Sequence, residues 1–226
     1  MEKTNTDVRL VGVSKAYGNN AVLADIDLEV AHGEFVAVLG RSGTGKSTLL
    51  NLIGGLDEPA RGEVHLLGQQ LSSLTETQRA ALRAEKLGFV FQFFNLIPTL
   101  TARENVELPL AINSTPKREG RRRAHELLSE LGLADCDDRF PEELSGGEQQ
   151  RVAIARAIAH DPAVILADEP TGNLDIETGK TVLALLYEIC RRRGTTLIVA
   201  THSDEVLGLA DRVLRISNAL LEETPR

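Results

Sequence analysis

Phe35-Val-Ala-Val-Leu39 runs straight into Gly40-Arg-Ser-Gly-Thr-Gly-Lys-Ser47, and this junction decides the fold. An unbroken apolar run of this length suits a buried strand, and the loop after it opens a helix expected over Ser47–Ile53. Glycines in such a loop let backbone N–H groups approach phosphate oxygens, which the positive helix N-terminus also attracts. In that setting Lys46 reaches terminal phosphates and the Ser47 hydroxyl binds Mg2+. Strand, glycine loop and helix in this order indicate a phosphate-binding α/β domain.

Working outward, Val8–Lys15 and Ala21–Val30 read as strands before the junction, the second alternating through Ile26, Leu28 and Val30. Gly62–Leu67 is another strand, Gln78–Glu85 a helix, and Gly88–Phe91 a short buried strand ending at Gln92. From Phe93 to about Ala159 the pattern is mainly helical, clearest over Arg121–Leu131, with Pro98, Pro109, Pro116 and Pro141 as punctuation. Strand and helix then alternate through Val164–Ala167, Thr178–Arg193, Thr196–Ala200, a helix near Glu205–Ala210, and Val213–Ile216. Such alternation predicts a mostly parallel sheet flanked by helices. The expected organisation is one domain over 1–226: a core from 1–92 and 160–226 with an N-terminal antiparallel β part, and an inserted helical subdomain over 93–159.

Bulk composition narrows the class. With 226 residues, 42% hydrophobic and 26% charged, the chain suits a globular domain with a sizeable core. A net charge of −8 argues against a general nucleic-acid binder, which needs Lys and Arg to neutralise phosphates. Cys136 and Cys190 lack metal-ligand spacing and read as reduced, buried thiols of a cytosolic protein. Met1–Leu10 is too polar for a secretory signal, and no stretch approaches the roughly 20 apolar residues that span a bilayer. Work at a membrane would therefore go through a partner. The basic run Lys117–Arg123 reads as a solvated helix face.

Two further segments carry chemistry. Val164-Ile-Leu-Ala167 delivers Asp168 and Glu169 to the carboxyl end of a strand, where open parallel sheets bind ligands. Neighbouring strand residues point oppositely, so the carboxylates can divide the work, Asp168 holding Mg2+ and Glu169 polarising an attacking water. Leu144-Ser-Gly-Gly-Glu148 precedes a helix expected over Gln149–Ala159, with Ser145 as its N-cap. Gly146 and Gly147 leave the backbone bare, so this helix start can also grip an anion. A second phosphate surface about a hundred residues beyond the first loop cannot easily reach it within one small domain. A nucleotide held between two copies of the chain follows.

On these residues the chain resembles, over nearly its whole length, the nucleotide-binding subunits of ATP-binding-cassette (ABC) transporters. Leu144-Ser-Gly-Gly-Glu-Gln-Gln-Arg151 is similar to that family's signature segment. Gln92 resembles its glutamine loop, Asn173-Leu174-Asp175 the loop that communicates across the dimer, His202 the switch histidine, and Tyr17 the aromatic that stacks on adenine. The resemblance implies an α/β phosphate-loop ATPase of ABC type, with ATP and Mg2+ as cofactors. It places catalysis on Glu169, His202, Lys46 and Gln92, and Mg2+ on Ser47, Gln92 and Asp168. ATP would meet Tyr17, Gly40, Ser42, Gly43, Thr44, Gly45, Lys46, Ser47 and Thr48, and across the dimer Ser145, Gly146, Gly147, Glu148 and Asp175.

Asp168-Glu-Pro-Thr-Gly-Asn-Leu-Asp175 and Phe91–Val106 further resemble the lipoprotein-release and macrolide-export branch, which includes the cell-division ATPase. That implies a second copy of the chain and a few-helix integral membrane permease as partners, no nucleic acid, and a place on the inner face of the cell membrane. The alternative within the branch is an ATP-gated scaffold that moves no cargo. Soluble chromosome or repair ATPases would carry a long coiled-coil insertion, and translation-associated relatives usually carry two cassettes in tandem. Four of six phenylalanines fall between Phe89 and Phe94. Phe89 and Phe91 suit the core, whereas Phe93 or Phe94, with Leu96 and Ile97, is expected to floor a groove for a short permease helix. Ser217-Asn-Ala219 stands where the family has a glycine-containing final turn, and Asn218 can take left-handed geometry there.

Overall fold

The computed structural model describes residues 6–224, so Met1–Asn5 of the polar N-terminal stretch lies outside them. Strands β1 (Thr6–Tyr17), β2 (Asn20–Ala31), β4 (Arg61–Leu66) and β5 (Gln69–Gln70) form an antiparallel sheet in the order β2-β1-β4-β5. The second sheet has the order β10-β9-β3-β8-β7-β6, from β3 (Phe35–Leu39), β6 (Leu87–Phe91), β7 (Val164–Asp168), β8 (Thr196–Thr201), β9 (Arg212–Ser217) and β10 (Leu220–Glu223). Its strands pair in parallel except β10, which runs antiparallel to β9.

Every residue of β3 is buried, as a strand covered on both faces requires. Its alternation splits the interior in two. Val36 and Val38 join the core under the antiparallel sheet and α1 (Lys46–Ile53), while Phe35, Ala37 and Leu39 join the core under the helices. Those helices include α3 (Ala102–Ile112), α4 (Lys117–Glu130), α5 (Gly146–Ile158) and α6 (Ile176–Arg193), and α2 (Glu76–Lys86) precedes β6.

Several local expectations change. Pro109 does not interrupt its segment: α3 continues through it to Ile112 although the ring removes one helix N–H. The buried Asn105 fastens the start of α3, accepting from the Ile97 N–H and donating to the Ile97, Leu100 and Thr101 carbonyls. The segment near Glu205–Ala210 forms a short 3-10 turn over Asp204–Gly208 rather than an α-helix. The final hairpin forms, with both Asn218 (φ 51°) and Ala219 (φ 65°) left-handed.

Candidate functional site

The β3–α1 loop is built by close approach. At Gly40 a Cβ would meet the Thr44 hydroxyl at 2.5 Å, and at Gly45, where φ is 104°, it would meet Val22 Cγ1 at 2.8 Å. Lys46 is buried and turns back over the loop, donating to the Gly40 carbonyl at 2.8 Å and the Arg41 carbonyl at 3.2 Å. Beside the loop lies a cavity of about 450 Å3. Its walls are Tyr17, Val22, Ser42, Gly43, Gly45, Lys46, Ser47, Thr48, Gln92, Asp168, Glu169 and His202. The sequence reading missed Val22, whose side chain packs under Gly45 and carries no signal of its own.

Both carboxylates line this one cavity, which corrects the expectation that they point oppositely. Alternation ends with β7 at Asp168, and Glu169 is left-handed (φ 47°), its N–H held by the Ala200 carbonyl at 2.8 Å. Glu169 Oε1 then lies 3.1 Å from Lys46 Nζ, and Oε2 lies 2.8 Å from His202 Nδ1. Burial pushes the Asp168 carboxyl up from its ordinary value, against a hydrogen bond from Ser47; nearby Glu169 pushes the same way and Lys46 opposes. Asp168 Oδ1 is buried with no hydrogen-bond partner.

That orphaned oxygen beside the Ser47 hydroxyl fits one hard divalent cation. Among the described residues no group of three or more His, Cys, Asp or Glu could hold a metal. A cation held by Asp168 and Ser47 would need its remaining ligands from water and phosphate. Gln92 faces the same cavity and is tied to Asn173, which donates to the Gln92 carbonyl at 2.9 Å.

Ser145 caps α5 as expected. Its hydroxyl donates to Glu148 Oε2 at 2.7 Å while the Glu148 N–H returns a 3.3 Å bond, and these contacts hold the Glu148 carboxyl below its ordinary value. Asp175 likewise caps α6, accepting from the Thr178 N–H at 3.0 Å. Ser145, Gly146, Gly147, Glu148 and Asp175 do not line the Lys46 cavity, and neither do Gly40 and Thr44, which shape the loop behind it. The link from α5 to the catalytic wall is Gln150, fully buried, whose amide donates to the Pro170 carbonyl at 2.6 Å.

A formed apolar cleft lies beside the segment expected to floor a groove. Phe93 is 72% exposed, but the apolar cleft of about 500 Å3 nearby is lined by Phe89 and Phe91, not by Phe93 or Phe94. The rings of Phe89 and Phe91 stack with centroids 5.9 Å apart, and Leu108, Pro109 and Ile112 of α3 face them. Residues two apart on a strand share a face, so both half-buried rings line the cleft together, Phe89 also packing against the core.

A model of the ABC transporter family matches residues 23–172. The chain belongs to the ABC transporter family. It is similar to YbbA, an ABC transporter ATP-binding protein of Escherichia coli K12, at 50% identity over 90% of this chain and 89% of YbbA. It is 47% identical to the macrolide export ATP-binding/permease protein MacB of Rhodopirellula baltica over 97% of this chain, which is 33% of MacB. Among solved structures, the dimeric cassette MJ0796 in a post-hydrolysis state bound to ADP and Pi superposes with a TM-score of 0.87 at 41% identity, covering 97% of this chain and 99% of that one. As a member of the family the chain is an ATP-binding cassette, an ATPase with the α/β fold described above.

Proposed function

We propose that this cassette pairs head-to-tail, the Lys46 loop of each copy facing the Ser145 turn of the other about a two-fold axis, around two Mg·ATP and drives a separate membrane permease. The observation that carries the reading is the place of the Ser145 turn. It is a helix start with bare Gly146 and Gly147 amides, yet it lies away from the Lys46 cavity of its own chain. A second copy can bring its own turn to the open side of that cavity, as an isologous pair with two equivalent sites. That the similar cassette MJ0796 is dimeric with ADP and Pi bound supports pairing of two copies.

In this reading Lys46 leaves Glu169 and meets the terminal phosphates, whose developing charge it stabilises together with the loop and turn amides. Freed of Lys46, Glu169 orients and polarises the attacking water, and His202, already on its other oxygen, keeps it aimed. Asp168 and Ser47, with Gln92 nearby, would hold Mg2+, which supplies charge neutralisation across the phosphates. Segment 93–159 would act as the moving subdomain, with Gln150 coupling α5 to the catalytic wall.

The permease would enter through the Phe89–Phe91 cleft. Apart from apolar groups that cleft presents Arg83, Asn95, Arg156 and His160, and Arg83 is already paired with Glu76 at 2.7 Å. Arg156 is spent on backbone carbonyls, Phe94 at 2.8 Å and Asn95 at 2.5 Å, and burial lowers its pKa. The fitting occupant is a short cytoplasmic permease helix with apolar residues on one side. In this reading the cassette would sit on the cytoplasmic face of the membrane, held there by the permease. Glu substituted at Ile112, 67% exposed on the cleft rim, should abolish co-purification with the permease while the isolated chain still hydrolyses ATP. A permease complex that survives both Ile112→Glu and Leu108→Glu would rule out this cleft.

A further inference from the structure

Tyr17 stands on the wall of the same cavity, 53% exposed at the end of β1, where a ring would ordinarily turn freely. It is instead tethered. Its hydroxyl donates to Asp57 Oδ2 at 2.7 Å. Lys15 donates to Asp57 Oδ1 at 2.6 Å and to the Glu58 carbonyl at 2.7 Å, and its ammonium sits 5.1 Å from the centre of the Tyr17 ring. Only 13% of the Lys15 side chain is exposed, so this cation is a fixed part of the wall.

The tether leads to the phosphate site. Asp57 follows the end of α1, its N–H bonded to the Asn51 carbonyl at 3.3 Å, and the next residues return to β1 through Ala60 N–H and the Ser14 carbonyl at 2.8 Å. The helix that begins with Lys46 and Ser47 therefore ends in the loop that holds the Tyr17 ring. A nucleotide must satisfy both ends at once, so the span between ring and phosphate loop selects it. Lys15 also cancels the Asp57 charge beside a polyanionic ligand, and its hydrogen bond keeps that carboxyl below the ordinary range.

We propose that Asp57 and Lys15 form a positioning pair that fixes the Tyr17 ring for stacking of the nucleotide base and thereby sets affinity for the base-bearing half of ATP. This rests on the reading of Tyr17 as the stacking residue. Stacking of one base on an aromatic ring is worth roughly a factor of 5 to 150, and loss of orientation forfeits part of it.

The test uses the full chain and compares steady-state hydrolysis of Mg·ATP by the parent, Tyr17→Phe, Asp57→Asn and Tyr17→Ala, each also inhibited by inorganic tripolyphosphate, which has no base. Asp57→Asn and Tyr17→Phe should raise KM for ATP about three- to tenfold with kcat within twofold, and Tyr17→Ala should raise it further. Tripolyphosphate inhibition should be unchanged in all of them. An Asp57→Asn enzyme with the parent KM, while Tyr17→Ala is impaired, overturns the positioning pair and leaves the stacking residue standing. Normal KM in Tyr17→Ala overturns the stacking residue itself. Equal weakening of ATP and tripolyphosphate shows that Asp57 merely supports the fold, which also overturns the proposal. Tyr17→Phe removes a single exposed hydroxyl and keeps the comparison decisive should Asp57→Asn fail to fold.

Discussion

Replacing Glu169 by Gln should separate nucleotide binding from hydrolysis, and the geometry gives both sizes. The side chain bridges Lys46 Nζ at 3.1 Å and His202 Nδ1 at 2.8 Å inside the cavity. Gln keeps the volume and an oxygen for Lys46 but cannot take a proton from water. General-base assistance is worth about 10²–10⁴-fold, so kcat should fall at least ~100-fold, about 2.7 kcal/mol on the barrier. Binding should move the other way. In the resting chain Lys46 must leave a carboxylate before it meets phosphate, and a hydrogen bond to a charged group contributes about 1.5–3 kcal/mol. A neutral acceptor retains part of that, so the variant should gain about 1 kcal/mol, roughly fivefold tighter ATP. Phosphate-release kinetics give the first quantity and an ATP titration the second. A kcat within tenfold of the parent would refute Glu169 as the base; unchanged or weaker ATP binding would refute its competition for Lys46.

Gly147→Ala should destabilise by overpacking, because the new Cβ would sit 2.7 Å from Thr178 Cγ2. A penalty of about 1–3 kcal/mol is expected, visible as a Tm drop of several degrees, and Thr178→Ser should recover part of it; no recovery would contradict the clash. His160 hydrogen-bonds the Leu87 carbonyl through Nε2 at 3.0 Å, its Nδ1 is buried without a partner, and burial lowers its pKa from 6.5. The unfolded chain therefore takes up this proton first on acidification. Stability should be whole above pH 6.5 and decline as pH falls from there toward the folded-state value, so His160→Gln should flatten that decline in chemical unfolding; an identical slope contradicts it. Ala219 holds φ 65° in the last hairpin. Left-handed geometry costs an L-residue about 1–2 kcal/mol against about 0.5–1 for the extra freedom of Gly. Ala219→Gly should therefore raise Tm by a few degrees, and a lowered Tm would show that the strain is relieved elsewhere.

How much the sequence discloses depends on how local each physical cause is. Phe35–Leu39 into Gly40–Ser47 is legible because burial, close backbone approach and helix initiation all act on adjacent residues. The Ser145 cap is legible for the same reason, its partner Glu148 being three residues away. The direction of Glu169 is not legible because strand alternation applies only while the chain stays extended, and its left-handed turn is held from β8 through Ala200. Phe89 packs against the core as its strand position suggests, but that it and Phe91 also line a cleft with Leu108, Pro109 and Ile112 depends on where α3 lies, which the strand alone does not disclose. Asp57 offered no signal, since its importance arises from Lys15 and Tyr17 some forty residues earlier. Continuation of α3 through Pro109 likewise depends on tertiary packing that outweighs a single missing N–H.

The central claim is that one nucleotide is gripped by the Lys46 loop of one copy and the Ser145 turn of the other. Light scattering on the slow-turnover Glu169→Gln chain tests it most directly, read with and without saturating Mg·ATP. The account requires twice the mass of one chain with the nucleotide, one chain's mass without it, and loss of the pair when Ser145→Arg is added. A Glu169→Gln chain that stays single while nucleotide is bound, or a pair indifferent to Ser145→Arg, would contradict it.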